Sequence, residues 1–293
     1  MRATLDRRSP LLMTIPMLVI IVIFISFLVY VVALSVTDST LAKPFQGYIG
    51  LENYEKALSD DAFIESVWNM LVFAFVVTIV ETGLGFLIAL AVHNLIRSGR
   101  WLLTLALLPL FTPPVAVGMI WKLFYDPGSG FINHYLLKWG FIQDPVAFLG
   151  RPEWAMPAIM LADIWQWTAF CFILILAALQ SLPHDPYEAA AVDGASGWQV
   201  FRRLTLPMVL PAVIVTFLFR LLIALKVFDL VFMLTYGGPG TSTQVASFYI
   251  YKTGFTLFKT GYAASMTVLV FILVSLIATV LTLGRTIFMK RGS

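Results

Sequence analysis

Cysteine is nearly missing from this chain. The single one, Cys171, lies inside an apolar run, which excludes an internal disulfide and any cysteine-cluster metal site. Histidine is almost as scarce: His93, His134 and His184 stand in different segments, without the paired spacing or carboxylate neighbours of a metal site or a catalytic triad. A G-x-x-x-x-G-K-[ST] loop is also lacking, since the glycine-rich stretch 237–241 has no lysine, so ATP has to be bound by another chain if it is used at all. The largest deficit is in charge. Only 12% of the 293 residues are charged against 60% hydrophobic, and mean hydropathy is +0.90. One soluble core cannot hide that much apolar surface, so lipid has to be the solvent. An all-α polytopic membrane protein is expected, not an enzyme, with no metal and no cofactor in the chain.

Six apolar runs are present, at about 11–34, 67–92, 101–120, 155–179, 207–225 and 263–288. Each approaches the roughly 20 residues that a helix needs to cross a bilayer. The first follows Arg7 and Arg8 and has Ala33 and Ser35 near its end, but it exceeds the roughly 7–15 apolar residues of a signal peptide and reads as an uncleaved helix. The length leaves room for one transmembrane domain, 1–293, with a first span at 11–34 and a five-helix core at about 66–288.

Six spans put both termini on one side, and basic residues choose the side, because retained cytoplasmic loops carry most Lys and Arg. One set of short segments holds Arg2, Arg7, Arg8, Arg97, Arg100, Arg202, Arg203, Arg285, Lys290 and Arg291. The opposite, longer loops hold Lys43, Lys56, Lys122, Lys138, Arg151, Lys252 and Lys259, diluted by acids such as Asp60 and Glu65. Ten against seven places both termini, and the segment between spans 4 and 5, in the cytoplasm. The net charge of +3 follows from this bias and calls for no nucleic acid.

That segment, EAAAVDGASGWQVFRRLTLPMVLP at 188–211, is the least membrane-like part of the chain. Asp185, Pro186 and Glu188 supply an N-cap, a proline at the first helical position and a capping-box acid, so a helix is expected to start there. Ala189, Ala190 and Ala191 favour helix with almost no bulk, and Gly194 after Asp193 suits a left-handed cap. Ser196 with Gln199 repeats the capping pattern and starts a second helix, expected to stop before Pro207. Two readings are open: an element completed by docking into a groove of another protein, or an amphipathic loop lying on lipid headgroups.

The pattern E-A-A-A-V-D-G-A at 188–195, followed by Phe201, Leu204, Leu206-Pro207 and Pro211, resembles the EAA signature of the membrane subunits of binding-protein-dependent ABC importers. Three further stretches resemble the sugar-transporting branch: Gly50-Leu51-Glu52-Asn53-Tyr54, Asp163-Ile164-Trp165-Gln166-Trp167, and Phe228-Asp229 followed by 234–240, in which Tyr236 departs from that branch's threonine-then-glycine pattern. The resemblance implies that Glu188, Ala189, Ala190, Ala191, Asp193, Gly194 and Ala195 form a coupling element seated on cytoplasmic ATPase subunits. It also implies two such ATPases binding ATP and Mg, a second homologous permease subunit, an extracytoplasmic solute-binding protein docking on the outer loops, a sugar-like substrate, and residence in the inner membrane of a prokaryote.

Ionisable residues within apolar runs are costly and mark candidate sites. Glu81 lies near mid-span beside Gly83 and Gly85, where an interhelical hydrogen bond and a transport role are both open. Lys226 and Asp229, three apart on one helical face, are expected to pair with each other. Asp163, Gln166 and Trp167 put an acceptor, an amide and an aromatic ring on neighbouring faces of one helix, a combination suited to a sugar. With Arg220 and Asp229 they are the candidate substrate pathway. Pro109, Pro113 and Pro114 break the third run, which is expected to line the route. The alternative is a carrier energised by an ion gradient through Glu81 and Asp163, a class that often shows inverted repeats, and none is visible between the two halves.

Overall fold

A computed structural model describes residues 8–93 and 100–290. Arg2, Arg7, Arg97 and Arg291, which contribute to the expected orientation, lie outside the described residues. In chain order the helices are α1 (Arg8–Ser35), α2 (Glu52–Leu58), α3 (Asp61–His93), α4 (Arg100–Phe111), α5 (Pro114–Phe124), α6 (Phe131–Lys138), α7 (Pro152–Gln180), α8 (Asp185–Val192), α9 (Gly197–Val200), α10 (Leu206–Ala224), α11 (Asp229–Leu234), α12 (Ala246–Tyr251) and α13 (Thr260–Lys290). The extended backbone among the described residues amounts to one isolated bridge, Thr37 with Tyr48. The fold is all-α, as the composition demands.

Five stretches are long and apolar enough to cross a membrane: 14–35, 61–93, 152–180, 197–224 and 260–284. The sixth run is a broken one. Residues 103–111 and 114–124 form two helices bent by 98°. Pro113 sits at the break in an extended conformation (ψ 139°), and Pro114 opens α5, where its missing N–H costs nothing. The prolines thus replace the straight third run with a sharp corner.

Contacts divide the chain into two units. In the first, 1–64 with 250–272, the Gly50–Tyr54 motif ties the end of α1 to the start of α13. Asn53 is buried and its Nδ2 donates to the carbonyls of Ser35 (3.0 Å) and Thr37 (3.1 Å). The Ser265 hydroxyl donates to the Asn53 carbonyl, and the Tyr262 hydroxyl to Asp60 at 2.7 Å. Gly261 is needed for the approach, since a Cβ there would lie 2.2 Å from the Thr37 carbonyl.

The second unit, 65–249 with 273–293, carries the polar groups of interest. Its core gathers Ala89, Phe172, Ile175, Leu176, Leu179 and Val209 from α3, α7 and α10. Gly85 lets α3 and α7 close up: a Cβ there would meet the Cys171 Cβ at 2.7 Å, whereas Gly83 faces open space. The short α11 packs on α5 through Gly118, where a Cβ would come within 2.6 Å of Met233.

Candidate functional site

Arg220 on α10, almost the whole of it buried at 1% exposure, stands between two carboxylates from two other helices. Its Nη2 donates to Glu81 Oε1 on α3 at 2.9 Å and to Asp163 Oδ2 on α7, and its Nε faces Glu81 Oε2. Glu81 and Asp163 are 0% and 4% exposed. The Trp167 ring lies under the guanidinium, 4.9 Å from centroid to Cζ, one helical turn from Asp163. Charges this deep are tolerable only when paired, and this arrangement pins three spans through a single guanidinium. Glu81 therefore serves as an interhelical partner.

A cavity of about 180 Å³ opens beside this cluster. Asp163, Gln166, Trp167, Arg220 and Asp229, proposed from sequence as separate pathway residues, all line it, with Pro114 and Lys226. Gln166 has two faces. Its Nε2 donates to the Thr112 carbonyl (2.9 Å), one of those released by the proline corner, while its buried Oε1 has no partner among the described residues. Donation to a carbonyl fixes which end of the amide is nitrogen, so the free end is an acceptor.

Lys226 and Asp229 depart from expectation. The helix ends at Ala224, residues 225–228 are a non-helical connection, and Asp229 begins α11, so the two do not share a helical face and form no ion pair. Both are exposed and both line the cavity.

Between α7 and α10 lies the segment singled out by its alanines. No side chain caps α8: His184 precedes it in helical conformation, and the expected Asp185–Glu188 capping box does not form because Asp185 is already inside the helix. Its other end is built as foreseen. Gly194 takes φ +69°, and the N–H groups of Ala195 and Gly194 reach back to the carbonyls of Ala190 and Ala191 at 2.9 and 3.2 Å, closing a Schellman motif. Ser196 and Gln199 form a complete capping box on α9.

The second helix does not stop at Pro207. Residues Phe201–Thr205 widen into a π-type turn, with the Leu206 N–H bonded to the Phe201 carbonyl, and the backbone runs on into α10 with Pro207 in its first turn. Pro207 has no N–H to donate, and the wider π-type turn just before it takes up the change of register, so the helix continues. The whole of 197–224 is one continuous helical span. The hairpin is joined by Tyr187, whose hydroxyl donates to Thr205 at 3.1 Å. An open groove of about 430 Å³ runs along it, lined by Ala190, Asp193, Gly194, Ala195, Gln199 and Arg203 among others. Glu188, Ala189 and Ala191 are exposed, as are Val192 at 89% and Trp198 at 67%.

Residues 81–284 match the family described as binding-protein-dependent transport system inner membrane component. The chain belongs to this family. The permease is 40% identical over 237 residues to a probable ABC transporter permease protein of Sinorhizobium fredii, y4oQ, covering 80% of this chain and 75% of that one. It is 35% identical over 267 residues to the trehalose/maltose transport system permease protein MalF of Thermococcus litoralis, covering 90% and 88%. Among solved structures it is similar, with a TM-score of 0.80 and 27% identity over 97% of this chain and 96% of the other, to a chain of a bacterial ABC transporter involved in the import of the acidic polysaccharide alginate.

Two features of the permease's site escape the sequence. Thr112 contributes only its backbone, and Arg203, read from sequence as a topology determinant, also lines the groove from within the π-type turn. Glu81 did carry a signal: an acid deep in one run, with no base in the same run, has to find its cation on another.

Proposed function

We propose that this permease forms half of the translocation route of an ATP-driven importer in the cytoplasmic membrane of a prokaryote, carrying a carbohydrate or a related polyol or sugar-phosphate delivered by an extracytoplasmic binding protein. One observation carries the reading. A single helix, continuous from 197 to 224, bears an exposed, self-capped hairpin at one end and Arg220 of the polar cavity at the other. A push on the hairpin is transmitted along this one helix to the cavity, which is the mechanical link that alternating access needs.

In this reading the hairpin residues Glu188, Ala190, Asp193 and Gly194 seat on a cytoplasmic ATPase subunit, and a second permease with a second ATPase completes the complex. ATP and Mg are bound by the ATPases. Closure of the ATPases moves the hairpin, the helices turn the cavity outward, and the binding protein releases its cargo into it. Asp163, Gln166, Trp167, Arg220 and Asp229 form this chain's share of the cavity wall. Family membership sets aside the ion-gradient carrier, and the two carboxylates that such a carrier would use are both engaged by Arg220.

Purification through a C-terminal tag, with the neighbouring genes expressed together, tests the reading. Mass spectrometry is expected to recover an ATPase and a second permease with this chain. Recovery of the chain alone, with uptake that follows an ion gradient, overturns it.

A further inference from the structure

We infer that the cavity beside Arg220 admits uncharged saccharides and excludes anionic ones, an inference that rests on the carbohydrate reading of this same cavity. Relatives do not decide the point, since one is named for trehalose and maltose and another for an acidic polysaccharide. A buried arginine on a cavity wall ordinarily suggests a receptor for phosphate or carboxylate. Here three of the arginine's five N–H donors are already committed. Its Nη2 serves both Glu81 and Asp163, its Nε faces Glu81, and its flat face lies on Trp167.

With at least one carboxylate of the cluster ionised, the charge count leaves the wall no net positive charge. With both carboxylates ionised the cluster carries one negative charge, and with a proton on either it is neutral; in neither state is it positive. The other charges on the wall, Lys226 and Asp229, cancel. An entering phosphate would face Asp163 and Asp229 across a medium that screens poorly, with Lys226 to offset only one of them.

Hydrogen bonding leads to the same conclusion independently. Gln166 Oε1 is buried on the wall without a partner among the described residues, and with the amide nitrogen committed to Thr112 it can only accept. Asp163 and Asp229 are acceptors too. These acceptors outnumber the lysine donor that shares the wall, Lys226, and the shortfall is one that sugar hydroxyls supply and a dianionic phosphate group does not. Gln166 and the Glu81–Arg220–Asp163 cluster are thereby the specificity-determining groups for charge.

The test uses the complete transporter in lipid nanodiscs, without its binding protein. Equilibrium binding is measured by calorimetry for matched pairs: glucose, maltose and trehalose against glucose 6-phosphate, glucuronate and trehalose 6-phosphate. At least one neutral sugar is expected to bind, and its anionic counterpart at least about tenfold more weakly. Glu81→Gln, which removes a negative charge and keeps an acceptor, is expected to shrink that gap. If it does not assemble, the wild-type pairs still decide the matter. An anion that binds as tightly as its neutral partner, or a gap unchanged in an assembled Glu81→Gln transporter, overturns the inference while sparing the carbohydrate reading. Binding by neither half of the panel overturns the carbohydrate reading itself.

Discussion

Gln166 donates to the Thr112 carbonyl across 2.9 Å, so a side chain of α7 satisfies the backbone that the proline corner of the third run leaves open. Irregular backbone at membrane depth persists only where such a partner exists. Gln166→Leu keeps the volume and removes the donor, and is expected to cost about 1–3 kcal/mol, the penalty of a buried unpaired carbonyl. Thermal unfolding of the purified complex should shift to lower temperature, more so for Gln166→Glu, which sets a carboxylate against the carbonyl. A leucine variant as stable as its parent would show that the corner needs no support from α7.

The ion cluster makes a sharper prediction because its members depend on each other. Arg220→Met alone strands two buried carboxylates, with an expected loss of about 3–5 kcal/mol, enough to remove most folded protein from the membrane. Adding Glu81→Gln and Asp163→Asn removes the stranded charge, and the triple variant is expected to accumulate again. Folded protein is quantified by size-exclusion chromatography of detergent extracts. If the triple variant is no better than Arg220→Met, the helices are held by something other than charge balance.

The apolar runs were legible because lipid enforces length and composition together, and the end of the signature at 188–195 because Gly194 and Ala195 close the turn that stops its helix. The intramembrane ions were legible one at a time, since each is costly wherever it sits. Their union was not: Arg220 stands 139 residues from Glu81 and 57 from Asp163, and no periodicity connects such separations. Lys226 and Asp229 misled for a definable reason. Leu225, Lys226, Val227 and Phe228 include neither glycine nor proline, so nothing in the pattern marked the helix end at Ala224. Pro207 misled in the opposite sense, because a π-type turn places it where a helix begins.

Asn53 is the centre of the Gly50–Tyr54 motif and holds two main-chain carbonyls from within the first unit. Asn53→Ala should cost about 1–3 kcal/mol through those unpaired carbonyls. Hydrogen exchange read by mass spectrometry is expected to quicken at 34–58 and to leave 185–205 unchanged. Equal quickening of both segments would mean that the motif supports the whole permease and not its own unit.

Gly194 distinguishes a docking surface from a mere turn. At φ +69° any L-residue is strained by roughly 1–2 kcal/mol, yet a Cβ there meets nothing within 4 Å, so the site is open but its backbone is demanding. Asparagine tolerates that conformation, alanine tolerates it less, and arginine adds bulk and charge in the groove that Ala190 and Asp193 share. If the groove receives an ATPase, Gly194→Asn and Gly194→Ala should retain most ATPase on purification and most uptake, whereas Gly194→Arg should lose both while still inserting in the membrane. If only the turn matters, alanine and arginine should fall together and asparagine alone should survive. Co-purified ATPase per permease, measured across the three variants, separates these outcomes, and an arginine variant that keeps its ATPase removes the groove from the coupling mechanism.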